Sequence, residues 1–570
     1  MKSSHIFRIR LFSGLMFLVG LVLIGKLYAI QIVYGDIFRE RGEAQYTGTS
    51  GATFNRGSIY FSDKGGNLVG AATLKSGYII SINPKLITEE EEVYEALSAI
   101  TPIDRQNFFL RASQKSGSYR EIAKHVPLEK GEDLSKLDIP GVGLRKERWR
   151  FYPGNTLASQ VLGFVGYKGD VLAGRYGLER YYGEVLSRDE RGAYANFFVQ
   201  IFSNIKDSLV AQKLEAEGDI VLTIEPSVQS FLEERLKEVA AARATDLVGG
   251  IIIDPETGQI FAMAGYPDFD PNSYQEVKNP QVFVNPMVEG VYEMGSIIKP
   301  LTVAAGLDAG VITRNTTYND VGTITLNGSK ISNYDGKARG VVPVQEILNQ
   351  SLNIGVAHIV SRLGNKRFAD YMRNFGLGEK TGIDLPNEVA GIITNLNSPR
   401  DLEYANASFG QGIAMTPIET VRALSALGNG GHLITPHVVK RIDYRLGVSK
   451  DMTYPPGRQV IKEETSTEIS RMLVEVVDEA LLNGKAKLPH YSVGAKTGTA
   501  QIARENGRGY YEDRYLHSFF AYFPAYQPRF LIFFYAVNPH GVRYASETWT
   551  DSFSKTVKFL INYYEVPPDR

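Results

Sequence analysis

Apolar residues run almost unbroken from Leu11 to Val33, behind Lys2, His5, Arg8 and Arg10, with Lys26 the one charge inside. At about 1.5 Å per residue, such a run crosses roughly 30 Å of hydrocarbon. Lys26 lies near the outer end, where its stem can snorkel. The positive flank predicts one membrane anchor, with the N-terminus cytoplasmic and residues after about 35 outside. The competing reading is a cleaved signal peptide with its apolar region at 11–25, for which Leu27-Tyr28-Ala29 is a poor cleavage site.

A polar, Gly-bearing stretch follows at 44–70, then a segment of helical pattern around 87–125. The pattern changes near Gly218. Residues 219–224 read as a strand, and 228–244 as an amphipathic helix with Phe231, Leu232, Leu236 and Val239 on one face. Strands are expected at 249–253 and 259–264, joined by Asp254-Pro255-Glu256-Thr257-Gly258 as a hairpin. A mostly helical stretch, 297–480, separates these from strands at 492–501, 517–523 and 529–537, and a helix at 547–563 closes the chain. Early strands, a helical insert and late strands predict an α+β domain whose antiparallel sheet is assembled from both ends. Three regions result: an anchor at 1–35, a non-catalytic module at 36–217 and a catalytic domain at 218–570.

Composition narrows the chemistry. The 570 residues carry 62 Lys and Arg against 63 Asp and Glu, which leaves no global field to attract nucleic acid. With no cysteine, disulfides, thiolate zinc sites and iron–sulfur clusters are excluded. The eight His are scattered, so neither a metal nor a cofactor is expected.

Three short motifs occur in order: Ser296-Ile297-Ile298-Lys299, Ser351-Leu352-Asn353 and Lys496-Thr497-Gly498-Thr499. Together they form the serine acyl-transfer signature of β-lactamases and penicillin-binding proteins. Each alone is weak: Ser203/Lys206, Ser552/Lys555, Ser81/Asn83 and Lys380-Thr381-Gly382 repeat the same patterns. Context separates them. Pro300 is tolerated only in a first helical turn, so a helix must begin near Ser296. Free N–H groups and the positive end of the dipole then sit beside the hydroxyl. Lys299, one turn on, shares that face and serves as a base if burial or a neighbouring cation depresses its pKa. Ser351 and Asn353 flank a loop–helix junction, where Ser351 either relays a proton or caps the helix. Lys496, Thr497 and Thr499 lie on a strand of small residues, suited to a carboxylate on a peptide added at the sheet edge. Gly498 there permits close backbone approach.

The chain resembles a class B penicillin-binding protein, the monofunctional transpeptidase type. Further shared strings are Arg56-Gly57-Ser58-Ile59, Tyr152-Pro153-Gly154, Phe269-Asp270-Pro271-Asn272 and Phe409-Gly410-Gln411-Gly412. The spacings of 55 residues from Ser296 to Ser351 and 145 from there to Lys496 also suit that family. The resemblance implies a helix-flanked antiparallel sheet with a helical subdomain, an elongated pedestal- or dimerisation-like module, and a catalytic domain on the extracytoplasmic side. It implies that Ser296 attacks the penultimate D-alanine carbonyl of a peptidoglycan stem ending in D-Ala-D-Ala, freeing D-alanine before a neighbouring amine takes the acyl group. Lys299 is then the base; Ser351 and Lys496 pass the proton on, and Asn353 orients the acyl amide. Ser296 and Thr499 N–H groups form the oxyanion hole, while Lys496, Thr497 and Thr499 receive the terminal carboxylate. β-Lactams acylate the same serine, and a SEDS-type membrane polymerase is the implied partner.

Met294 stands where the family usually has Pro, and Glu293 with the 351–356 run leans towards the cell-division branch. Two rivals stay open. A β-lactamase shares the first and third motifs, though a class A enzyme would carry Ser-Asp-Asn. A β-lactam sensor or division scaffold with a vestigial site is the non-enzymatic alternative.

Overall fold

The computed structural model describes residues 54–169, 171–188, 217–445, 447–455, 457–504 and 509–570. The expected anchor lies outside these residues, and no helix among the described residues is long and apolar enough to cross a membrane. By packing, the described chain forms two units, 76–148 and a larger one of 54–75 and 149–570, apart from Phe54, which is grouped with the first.

In the smaller unit, 77–82 pairs antiparallel with Arg120–Pro127, and helices Glu90–Ser98, Arg105–Ser113 and Leu128–Lys136 accompany it. Ile80, Ile82, Leu97, Phe108, Ile122 and Leu134 form its core. The helical pattern expected over 87–125 therefore breaks: Arg120–Pro127 is extended because Ile122 and Val126 supply one buried face.

The larger unit does not divide at residue 218. Ile59–Ser62 runs parallel to Gly218–Leu222, with Ile59 opposite Ile220, and Val439–Tyr444 flanks the latter on its other side. Residues 149–188 join them through a buried ion cluster. Glu179 accepts from Arg56 Nε and Arg150 Nε at 2.5 Å each, and from the Tyr152 hydroxyl at 3.2 Å. Burial alone would raise the Glu179 carboxyl, but the two guanidinium groups outweigh it and hold it below its usual range.

The elements that position the site are helix α1 (Pro226–Arg243), strands β1 (Leu247–Ile253) and β2 (Ile260–Tyr266), and helices α2 (Lys299–Asp308), α3 (Asn353–Leu363) and α4 (Glu463–Glu475). Strands β3 (Gly494–Ala503), β4 (Tyr510–Phe523) and β5 (Phe530–Val537) and helix α5 (Ala545–Tyr564) follow. The sheet runs β3-β4-β5-β1-β2, all antiparallel, and closes where β5 meets β1, with Leu531 opposite Ile253. Both ends of the domain thus build one sheet, as the strand pattern predicts. Asp254 carboxylate oxygens accept from Glu256 N and Thr257, and Gly258 adopts φ +83°, which makes the expected β1–β2 hairpin.

Strand periodicity sends Ile252, Phe519 and Phe534 to one face, where α1 and α5 cover them with Leu232, Leu236, Trp549 and Phe553. Ile251, Phe520 and Phe533 face the other way, against Ile297, Leu301 and the helical region. Strand β5 is therefore apolar along its length, buried on both faces. The 297–480 stretch is less uniformly helical than expected: residues 317–343 fold into two small antiparallel pairs, 323–326 with 329–332 and 317–320 with 340–343.

Candidate active site

Ser296 lies in a single 3₁₀ turn, Gly295–Ile298, that feeds α2, with Pro300 in its first turn. The α-helix proper begins at Lys299, three residues beyond the start expected near Ser296. The turn is held from three sides. Gly295 N donates to Gly410 O at 3.1 Å, the Ser518 hydroxyl donates to Met294 O at 2.7 Å, and Thr302 Oγ1 donates to Ser408 O at 2.8 Å. Gly295 sits at φ +64°, and a side chain there would press against the Thr499 backbone. That contact brings the Ser296 turn against edge strand β3.

Lys299 is fully buried beneath the cleft. Its Nζ donates to Ser351 O at 2.5 Å and to Ser351 Oγ at 3.0 Å. Burial, and then the charge of Lys496, pushes the ammonium well below its ordinary range. Lys496 is 3% exposed, and burial lowers it to about 8. Its Nζ donates to Thr497 O at 3.0 Å. Two desolvated amines thus act on one another beneath the cleft, one of them bonded to Ser351, and the interior favours a neutral Lys299.

Ser351 does not cap α3. That helix starts at Asn353 after Leu352, with no side-chain cap, and Ser351 adopts φ +54°. The left-handed bend turns its carbonyl and hydroxyl towards Lys299. Asn353 Nδ2 donates to Ser332 O at 2.8 Å, and Ile354 N donates to Asn333 Oδ1 at 3.2 Å, so the 317–343 insertion becomes a wall of the cleft.

Ser296, Ser351, Asn353, Lys496, Thr497 and Thr499 line a single cleft of roughly 640 Å³. Thr499 Oγ1 accepts from Ala545 N at 3.2 Å, which joins the start of α5 to the same wall. Gly498 is not part of the lining, and its open face points inward, where a Cβ would overlap Ser518 Oγ and Met294 O. The close approach its lack of a side chain permits is that of the Ser296 turn.

The repeated patterns elsewhere serve other ends. Glu388 accepts from Thr381 N and Oγ1 at 2.6 Å, which folds Lys380-Thr381-Gly382 into a closed loop. Ser552 is buried inside α5, Lys555 pairs with Asp551 at 2.9 Å, and Ser81 donates to Gly143 O. Ser203 and Lys206 lie outside the described residues.

Several contributors had no motif to announce them. Ser518, Lys330, Tyr334, Arg543 and Tyr544 reach the turn or the cleft through tertiary packing alone. Gly410 was visible as part of Phe409-Gly410-Gln411-Gly412, although that string carried no structural role.

Comparison with known proteins decides the family. Residues 248–557 match the family described as Penicillin binding protein transpeptidase domain, and 52–210 match the Penicillin-binding Protein dimerisation domain. Stage V sporulation protein D of Bacillus subtilis is 31% identical over 95% of this chain and 83% of its own length. This chain belongs to the class B penicillin-binding proteins. Peptidoglycan D,D-transpeptidase FtsI of Escherichia coli is 24% identical over 94% of this chain and 88% of its own. Among solved structures, penicillin-binding protein 3 of Mycobacterium tuberculosis in complex with aztreonam superposes with a TM-score of 0.68 at 22% identity, covering 91% of this chain and 98% of that one. Penicillin-binding protein 2X of Streptococcus thermophilus gives 0.73 at 19% identity, covering 90% and 81%. These two share the fold. The transpeptidase match puts the three motifs of this penicillin-binding protein inside one domain, with the edge strand and both lysines.

Proposed function

We propose that this class B penicillin-binding protein is a serine D,D-transpeptidase that cross-links peptidoglycan stem peptides through an acyl-enzyme on Ser296. The observation that carries the reading is the buried Lys299 bonded to Ser351, with Ser296, Ser351 and the buried Lys496 lining the same cleft. Lys299, depressed by burial, takes the Ser296 proton as the hydroxyl attacks the penultimate D-alanine carbonyl. The carbonyl oxygen becomes an oxyanion held by the Ser296 and Thr499 N–H groups. The C–N bond then breaks, and Ser351 and Lys496 deliver a proton to the departing D-alanine. A neighbouring stem's amine attacks the ester, loses a proton to the same relay and restores Ser296.

The donor peptide adds along β3, an unpaired sheet edge. Its terminal carboxylate meets Lys496, Thr497 and Thr499, while Asn353 orients the acyl amide. β-Lactams acylate Ser296 by presenting a carboxylate and a strained amide to the same groups. A β-lactamase reading is weaker, because the middle motif is Ser-Leu-Asn and the match extends through the dimerisation domain.

The apolar run at 11–33 anchors the chain, with residues 36–217 as the supporting module and 218–570 as the catalytic domain outside the cytoplasm. Glu293 and the 351–356 run favour the cell-division branch, and a SEDS-type polymerase is the partner that the family implies. The test is cross-linking of purified un-cross-linked peptidoglycan by the full chain. D-Alanine release and dimeric stems are expected from the wild type and not from Ser296→Ala; equal products from both would contradict the proposal.

A further inference from the structure

The acyl-transfer scheme makes no use of His517. This residue lies on β4 opposite Thr499 of β3 and is fully buried, with α5 packed over it. Cross-strand partners leave a sheet on the same face, so the His517 ring and the Thr499 side chain are neighbours. Phe519, Phe534, Trp549 and Phe553 fill the rest of that layer, where an apolar side chain packs without the desolvation cost of an imidazole.

Both ring nitrogens are bonded. Nε2 lies 3.2 Å from Arg543 O, and Nδ1 lies 2.8 Å from Thr548 Oγ1. Burial pushes the imidazole down to about 4, so the ring is neutral and carries one N–H. A carbonyl only accepts, which puts that proton on Nε2, donating to Arg543 O. The bare Nδ1 then accepts from the Thr548 hydroxyl. Trp549 Nε1 donates to His517 O at 3.0 Å and fixes the strand behind the ring.

These bonds set the course of the 543–545 backbone, which is a wall of the cleft. Arg543 is held at its carbonyl by His517 and at its N–H by the Glu547 carboxylate, at 3.1 Å. Two residues on, Ala545 N donates to Thr499 Oγ1 at 3.2 Å. A hydroxyl has one proton and two lone pairs. With one lone pair taken by Ala545, the Thr499 proton is turned from the wall and left to donate to an anion in the cleft.

We infer that His517 is a positioning residue for acylation: by holding the Arg543 carbonyl it sets the Ala545 N–H on Thr499, and so aims the Thr499 hydroxyl at the carboxylate of the acyl donor. This rests on the reading of Ser296 and Thr499 in the proposed function. His517 itself never touches the donor, and it acts through the backbone of the loop.

The test compares benzylpenicillin with its methyl ester, which lacks the free carboxylate, as acylating agents of the full chain, followed by the mass of the adduct. Wild type favours the free acid by about tenfold or more, the size expected of charge-assisted hydrogen bonds. His517→Leu cuts that ratio at least about threefold, the worth of one misplaced hydrogen bond. His517→Gln, whose side-chain amide reaches Arg543 O as a donor, keeps it. On a Thr499→Val background there is no hydroxyl to aim, and His517→Leu leaves the ratio unchanged. His517→Phe, which keeps the ring volume, repeats the comparison if the leucine variant does not fold. A wild-type ratio in His517→Leu or His517→Phe, with both rates lowered together, marks a histidine that only stabilises the fold and overturns the inference. A further fall of the ratio when His517→Leu is added to Thr499→Val overturns it too. A wild type that forms no adduct on Ser296 with either compound overturns the underlying reading instead.

Discussion

Gly410 meets Gly295 backbone to backbone: its carbonyl accepts from Gly295 N at 3.1 Å, and a Cβ on Gly410 would overlap the Gly295 carbonyl oxygen. Gly410 also holds φ +79°, a region that costs a residue with a side chain about 1–3 kcal/mol. Gly410→Ala is expected to lower Tm and to displace the Ser296 turn, slowing penicillin acylation at least about tenfold. Thermal melts with acylation kinetics check both effects; an unchanged acylation rate would show that this glycine does not hold the turn.

Lys299→Met separates chemistry from stability. The thioether fills the space of the buried stem, and an expensive buried amine is removed, so Tm is expected to hold or rise. Loss of the base costs acylation about 10²–10⁴-fold. Penicillin acylation rates and melting curves on the same sample provide the comparison.

The two amines predict a bell-shaped pH profile. Lys299 acts as base only when neutral, and that form is lost as pH falls through its depressed pKa. Lys496 holds a carboxylate only when charged, and that form is lost as pH rises through about 8. Above pH 8, kcat/KM for a carboxylate donor is expected to fall, and Lys496→Arg should move that limb to higher pH. Stability follows the opposite sign on this side. The unfolded Lys496 keeps its proton up to its ordinary 10.5, so its contribution to stability rises between about pH 8 and 10.5.

Glu179 offers a test remote from the cleft. Removing Arg150 leaves a fully buried carboxylate with Arg56 as its single cation, and breaking such a cluster costs about 3–5 kcal/mol. Arg150→Ala is expected to show that loss in chemical denaturation. A change below about 1 kcal/mol would mean that the carboxyl is not ionised there.

How legible the site was depends on the range of each contact. Ser296 and Lys299 were readable because Pro300 fixes a helix start and their spacing is local. The sheet was readable because β1, β2 and β5 carry long apolar runs bounded by turn residues. Ser351 was ambiguous between cap and relay, and only its left-handed backbone, which no neighbouring letter dictates, turns it to Lys299. The packing of Gly498 on Ser518 and Met294 was not legible, because a glycine signals close approach without naming what approaches. Residues 55–75 and 149–188 share a unit with 217–570, tied by Arg56, Arg150 and Glu179, a cluster spanning 123 positions that no periodicity reveals.

The decisive measurement is intact mass of the full chain after penicillin treatment, wild type beside Ser296→Ala, with peptide mapping of the adduct. A single added penicillin mass on the peptide containing Ser296, absent from the alanine variant, is the expected outcome. An adduct that persists in Ser296→Ala, or maps to another serine, would contradict the assignment of Ser296 as the acylated residue.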